Sequence, residues 1–457
     1  MIRIATALLA TTAIATGAQA GGLDRSQQSV LSIFDPEDTV SLTFNYVMPD
    51  VTGTDFGAGR GSYDVGENYS STQLSFTNRL NERVTYSVIA DQPFGADIDY
   101  DFDPRTSNLG GTAADLSAEA LSFIARMEVN ENVSVFGGVR AQRAGGTVKL
   151  NGQAYAAALG ARAAARPLGT AVGTAAATPG APNQAAAQAI LGALGDGAGT
   201  AFAGVATGDP RAAALGGQLT AAGFGADVAT AQGTFGAIAG PTGAFVAGGG
   251  YSVDIEDSWG AGLTLGAAYE IPEIALRLAV TYHSEVVHDG NSVERFGFIG
   301  GGAPIVGETS FSTPQSINVD FQTGINEQTL LIAGLRWADW DDFDVIPPNL
   351  GTDLADIDDV YRVSLGVARR FTPDFVGLAT VTYEEDNGSS TVSPLGPNDG
   401  QIGLSLGGRY STANMNVSGG LNYTKLGDAD AGVAGRPVAA FRDNDALGVG
   451  LRLTYEF

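Results

Sequence analysis

The last thirteen residues, 445–457, alternate apolar and polar almost without a break and stop on an aromatic. Leu447, Val449, Leu451, Leu453, Tyr455 and Phe457 share one face of an extended chain, and Gly448, Gly450, Arg452, Thr454 and Glu456 share the other. Segments of the same character recur along the whole chain, flanking six short polar or Pro-containing connections: Asn81-Glu82, Asn130-Glu131-Asn132, Pro272-Glu273, Asn326-Glu327, Thr372-Pro373-Asp374 and Thr412-Ala413-Asn414. The pattern predicts strands over 39–49, 67–79, 83–93, 115–128, 132–143, 258–271, 274–287, 314–325, 328–340, 358–371, 374–385, 400–411, 414–426 and 445–457. That is about fourteen, an even number with both ends on the short-turn side, as single-chain outer-membrane barrels require. An open sheet edge in hydrocarbon would strand backbone N–H and C=O groups at several kcal/mol each, so the sheet is expected to close. The predicted fold is therefore all-β, a transmembrane antiparallel β-barrel over 39–457.

On the side opposite the turns the connections are long. From 144 to 250 the chain is dominated by Ala and Gly, with apolar residues at helical intervals in Gln184–Leu194 and Pro210–Phe224. A run this far beyond ordinary loop length is expected to form a compact extracellular cap containing short helices. No stretch offers the roughly 18 uninterrupted apolar residues of a spanning helix.

The first twenty residues carry Arg3, an uncharged stretch and Ala18-Gln19-Ala20, which reads as a secretory signal over 1–20 with the mature chain beginning at Gly21. There is no Cys, which removes disulfides, thiolate chemistry and a lipid-modified cysteine. A net charge of -26 excludes a phosphate-binding surface and hence nucleic acid as a partner. Much of the acid, such as Asp339, Asp341, Asp342 and Asp344, falls in expected loops, as a solvated rim or a calcium site.

Taking the more apolar face of each strand as lipid-facing turns Arg126, Arg140, Arg277, His283, Glu285, Arg336, Arg362, Arg409 and Arg452 inward. These arginines suit either an anionic headgroup or pairing with luminal carboxylates. Ile124, Phe136, Leu330, Ile332, Val376 and Leu378 also face inward, where a water-filled porin would favour polar residues, and this points to an apolar cargo. His283 and Ser284 point to opposite faces of a strand and cannot share a proton, and no catalytic or nucleotide fingerprint stands in a suitable context. No enzymatic activity, cofactor or metal site is expected.

Several stretches resemble the FadL family of outer-membrane transporters for long-chain fatty acids and other hydrophobic compounds. These are Trp259 to His288, with Gly262, Gly266, Tyr269, Pro272, Arg277, Tyr282 and Ser284; Thr313 to Ile317 leading into Arg336 to Phe343; and Asp91 to Tyr100. The resemblance implies a monomeric barrel of a Gram-negative outer membrane, set among lipid and lipopolysaccharide. Its lumen would be plugged by the N-terminal segment, here 21–38. A hydrophobic ligand would be caught by the third and fourth outer loops, here the Ala/Gly-rich cap and Asp289 to Ser312, and released sideways at the third strand. Pro93 stands where such a strand break belongs, because Pro lacks the N–H that continuous pairing needs. Phe94, Gly95 and Tyr100 are the expected ligand residues near the exit, with Arg277, His283 and Arg336 inside. The plug is shorter than the family's and lacks its Asn-Pro-Ala stretch. Passive uptake of long-chain fatty acids or similar molecules is the expected function; a general diffusion porin and a barrel-based adhesin or phage receptor are the alternatives.

Overall fold

A computed structural model describes residues 23–57, 61–355 and 357–457, so the expected signal sequence and Gly21 lie outside the described residues. The barrel strands are β1 Thr39–Asp50, β2 Tyr69–Asn81, β3 Val84–Asp99, β4 Ala113–Glu128, β5 Val133–Leu150 and β6 Tyr251–Ile271. After them come β7, in two parts, Leu276–His283 and Val286–Phe296, and β8, also in two parts, Ile305–Thr313 and Ser316–Asn326. The circuit is completed by β9 Thr329–Ala338, β10 Val360–Arg370, β11 Phe375–Glu384, β12 Gln401–Ser411, β13 Met415–Leu426 and β14 Asp445–Glu456. Every neighbour in sequence is an antiparallel neighbour in space, and β1 closes the ring on β14 from Thr39↔Glu456 to Asp50↔Asp445. The result is a closed barrel of fourteen strands.

The side-chain alternation follows the pleat. In β14, Leu447, Val449, Leu451 and Leu453 form part of an exposed apolar band, while Ala446, Arg452 and Thr454 are buried on the inside. Trp259, Tyr269, Tyr383, Tyr410 and Tyr455 are among the exposed aromatics of this outer surface.

Two strands break midway. In β7 the Ser284 hydroxyl accepts the Leu263 N–H at 2.8 Å, taking a place a main-chain carbonyl would fill, and the period-2 alternation slips there. Glu285, expected inside, is consequently exposed, and Val286 is buried in its stead. In β8 the break falls at Pro314-Gln315, where Pro removes a ladder donor. The outer halves of β7 and β8 pair with each other from Val286↔Thr313 to Glu294↔Ile305. The segment Asp289 to Ser312, expected as a loop, is thus mostly a rigid hairpin.

The inserted helices begin later than expected, because β5 continues to Leu150 and pairs with β6 as far as Leu150↔Tyr251. Gly145-Gly146, past the predicted end of the strand, forms a bulge in that ribbon, with Gly146 at φ 147°. The helices are α1 Gln153–Ala177, α2 Gln184–Leu194, α3 Ala198–Thr207, α4 Ala213–Leu219, α5 Gly225–Ile238 and α6 Ala244–Ala247. Alanine favours the helix without needing a wide apolar stripe, so the 25-residue α1 forms where only short helices were expected. The helices share a core of their own, built from Leu168, Val172, Phe202, Val205, Leu219 and Phe224. Phe202→Ala is expected to cost the cap about 3 to 5 kcal/mol. Limited proteolysis should then cut within 185–235 while the barrel keeps its heat-dependent electrophoretic shift.

Candidate functional site

The wall is not paired all the way up. The β2–β3 ladder ends at Leu74↔Ala90, although β2 begins at Tyr69 and β3 runs on to Asp99. Just past that point β3 bulges, its pairing with β4 passing from Asp91↔Ala120 to Phe94↔Ala118 with Gln92 and Pro93 looped out. Across the resulting gap the Thr72 N–H donates to the Gln92 side-chain oxygen at 3.1 Å. The freed edge of β3 is taken up from inside. Arg25 N–H donates to the Pro93 carbonyl at 2.7 Å, and Gly95 N–H to the Leu23 carbonyl at 2.8 Å. A Cβ on Gly95 would lie 2.5 Å from Arg25 Cζ, so glycine leaves the room that the Arg25 guanidinium occupies.

Residues 23–38 occupy the lumen and are held at several heights. Arg336 grips Asp24 with two bonds of 2.6 and 2.7 Å and also donates to the Gln27 carbonyl and to Asn318. Ser316 donates to Gln28 at 2.7 Å, Ser26 to Asp91, and Arg452 to Asp35 at 2.6 Å. Arg25 pairs with Asp97 and lies 4.8 Å over the Tyr69 ring, so Tyr69 belongs to this site and not to the lipid-facing aromatics. Lower down, Val30, Ile33 and Phe34 pack on Ile89, Ile124 and Phe136, and the guanidinium groups of Arg277 and Arg126 sit 4.2 and 4.6 Å over the Phe34 ring. The inward apolar residues Ile124 and Phe136 therefore seat the plug. Leu330, Ile332 and Val376 form a separate cluster with Ala275 and Ala368.

Above this segment lies an apolar pocket whose open space, mouth included, is about 710 Å³. Its wall includes Leu23, Phe94, Ala118, Phe311, Trp340 and Phe343, and among the described residues no charged side chain lines it. Phe94 meets Trp340 edge to face at 5.3 Å, and Trp340 meets Phe343 likewise at 5.3 Å. These rings come from the bulge of β3 and from the chain after β9, which folds back into the barrel mouth. On the other side of the N-terminal segment is a polar chamber of about 1290 Å³, walled by groups such as Gln27, Asn45, Asn318, Arg336 and Thr382 and reaching Thr72 at the gap. Leu23 faces the apolar pocket; Ser26 and Gln27 face the chamber. A third cavity, of about 930 Å³, carries Glu67, Asp97, Asp358 and Asp399 and shares Leu23, Ala96, Ile357 and Leu395 with the apolar pocket. Burial pushes the Asp399 carboxyl above the usual range, opposed by the Asn387 N–H and reinforced by Asp386 and Asp358.

Of the residues expected to meet a ligand, Phe94 and Gly95 line the apolar pocket. Tyr100 does not; its hydroxyl, pushed up by burial, donates to the Pro394 carbonyl at 2.7 Å within the packed outer loops. Arg277 pairs with Glu270 at 2.9 Å, and Arg336 is engaged by Asp24. His283 is buried with Nδ1 3.1 Å from the Thr264 hydroxyl. The luminal arginines thus largely follow the pairing alternative, Arg362 with Glu384 included. Arg140 instead donates to the Ser284 carbonyl at 3.2 Å. Pocket residues not anticipated are Leu23, Phe311, Trp340 and Phe343. The last two stand in the Arg336 to Phe343 stretch, whose aromatic spacing marked it without revealing which cavity it would enter. Among the described residues no group of three or more His, Asp or Glu is placed to hold a metal ion.

The chain matches the family profile described as outer membrane protein transport protein (OMPP1/FadL/TodX) over residues 13–457. Comparison with curated protein sequences gives no match. Among solved structures it is similar to a Pseudomonas aeruginosa FadL homologue, with a TM-score of 0.60 at 14% identity over 97% of this chain and 99% of that one. It is also similar to the Pseudomonas putida toluene transporter TodX, with a TM-score of 0.56 at 13% identity over 98% and 99% of the two chains. The Ralstonia pickettii toluene transporter TbuX gives 0.54 at 13% identity over 97% of each. With a closed fourteen-stranded barrel, a filled lumen and a profile match over nearly its whole length, the chain belongs to the OMPP1/FadL/TodX family of outer-membrane transporters of hydrophobic compounds in Gram-negative bacteria.

Proposed function

We propose that this protein, as a single barrel, carries uncharged hydrophobic molecules passively across the outer membrane. They are taken into the apolar pocket, pass the N-terminal segment and leave sideways between β2 and β3. The observation that carries the reading is the adjacency of three features: an uncharged pocket, a short segment forming its floor at Leu23, and an unpaired stretch of wall beside that segment. A hydrophobic solute crosses the polar lipopolysaccharide leaflet poorly, and a greasy pocket that opens onto the bilayer removes that barrier without energy input.

The pocket favours neutral solutes over carboxylates. Among the described residues no cation stands in its wall, and the adjoining cavity presents Glu67, Asp358 and Asp399, which disfavour a second negative charge. Relatives described as toluene transporters agree with this, and long-chain fatty acids serve as the contrasting substrate. Purified protein in liposomes should speed entry of toluene or a similar hydrocarbon more than that of oleate, and in planar bilayers it should show little steady ion conductance. A large open conductance without hydrocarbon uptake would make it a general porin.

Filling the pocket should block the path. Ala118, buried and lining the pocket, lies opposite Phe94 on β4. Ala118→Phe is expected to cost about 1 to 3 kcal/mol of packing strain, leaving the barrel folded. Hydrocarbon uptake in the same liposomes should fall about tenfold or more, since 1.4 kcal/mol of lost binding already gives a factor of ten.

A further inference from the structure

Trp340 is 1% exposed, lines the apolar pocket, and among the described residues its indole Nε1–H has no hydrogen-bond partner. A buried donor left unpaired is costly, and native proteins seldom retain one without a use. The other polar side chain buried in that wall, Thr313, already accepts a bond from Gln142 at 2.9 Å. Apart from the exposed Ser117, the rest of the described pocket surface is aliphatic and aromatic. The sequence shows the same contrast among the three tryptophans. Trp259 is exposed on the outer surface and the Trp337 indole donates to Asp359 at 2.9 Å, whereas Trp340 is enclosed with its donor unspent.

We infer that Trp340 is a specificity-determining residue whose indole N–H donates to one acceptor oxygen on an otherwise apolar, uncharged ligand, such as a ketone, ester, ether or phenol. This deepens the transport reading and rests on it. The acceptor must be neutral, because among the described residues no cation in the pocket wall would compensate a carboxylate. Phe94 and Phe343, edge to face with the indole, supply flat apolar surface beside the donor, which suits an aromatic ligand bearing such an oxygen. A ligand held there lies against the bulge to which the N-terminal segment is bridged at Asp24↔Phe94.

The test compares acetophenone with ethylbenzene, near-isosteres differing in the carbonyl oxygen, by calorimetric titration of the full chain in detergent after correction for partition into micelles. The wild type should bind acetophenone about tenfold more tightly, as expected for one hydrogen bond to an otherwise unpaired donor. Trp340→Phe should abolish that preference, bringing the two affinities within about twofold of each other whatever the smaller ring costs both. Indole ¹⁵N–¹H spectra of the wild type supply a second measurement independent of the variant's folding: acetophenone, and not ethylbenzene, should shift the Trp340 resonance downfield. Equal binding of the two compounds by the wild type, a preference that survives in Trp340→Phe, or an unmoved resonance overturns the assignment alone. Absence of binding of either compound overturns the transport reading with it.

Discussion

Bridging Thr72 and Gln92 should abolish hydrocarbon uptake. The protein has no Cys, so a Thr72→Cys, Gln92→Cys variant introduces the sole pair of thiols. The two residues already face each other across the gap through the 3.1 Å bond from the Thr72 N–H to the Gln92 side chain. A short bis-methanethiosulfonate reagent would tie the end of the β2–β3 ladder shut without demanding disulfide geometry. If solutes leave here, treated protein in liposomes should transport no faster than empty vesicles, and reductant should restore the rate. Unchanged uptake after quantitative cross-linking would rule out the sideways exit and send the path down through the plug to the turn side.

Arg336→Met should open the barrel to ions. Arg336 and Asp24 are both nearly fully buried, and the arginine also binds the Gln27 carbonyl and the Gln28 side chain, so it holds the upper plug at three points. Removing one member of a buried pair leaves an uncompensated charge, at about 3 to 5 kcal/mol. That penalty can be relieved without unfolding the barrel, by withdrawal of residues 23–28 from the lumen. Planar-bilayer recordings should change from near silence to sustained conductance, and the double variant Asp24→Asn, Arg336→Met should be less leaky because no charge is left stranded. A silent single variant would show that the lower anchors, Arg452 with Asp35 and the Phe34 seat, suffice to keep the plug in place.

The strands were legible because two local signals agreed. Period-2 alternation marks every barrel strand, and the short turns between them set parity and orientation. Where the reading failed, the cause was a single residue with a non-local effect. Ser284 puts its hydroxyl into the β6–β7 ladder, and from there on the alternation predicts the wrong face for Glu285. The Gly145-Gly146 bulge lay past the predicted end of its strand, since only the partner strand decides whether an extended glycine pair continues the ladder. Pro93 was read correctly as an interruption, because the missing N–H is a property of the residue itself.

The site was less legible than the wall. Phe94 and Gly95 do line the apolar pocket beside the β3 bulge, but Arg277 and Arg336 were marked for a ligand and are spent on Glu270 and Asp24. An inward arginine is visible in sequence; its partner lies up to hundreds of residues away and comes into reach only when the ring closes. Trp340 and Phe343 carried no sign of their role, since they lie beyond the end of β9, where alternation no longer assigns a side.

The sequence by itself determined the compartment, the closed sheet, the strand count and which face of most strands meets lipid, because all of these follow from local periodicity and the need to pair every backbone group in hydrocarbon. Only the tertiary structure decided that residues 23–38 separate an apolar pocket from a polar chamber, that β2 and β3 part above Leu74, and that one indole N–H is left unpaired. These depend on segments distant in the chain meeting inside the cylinder, and no local pattern encodes such a meeting.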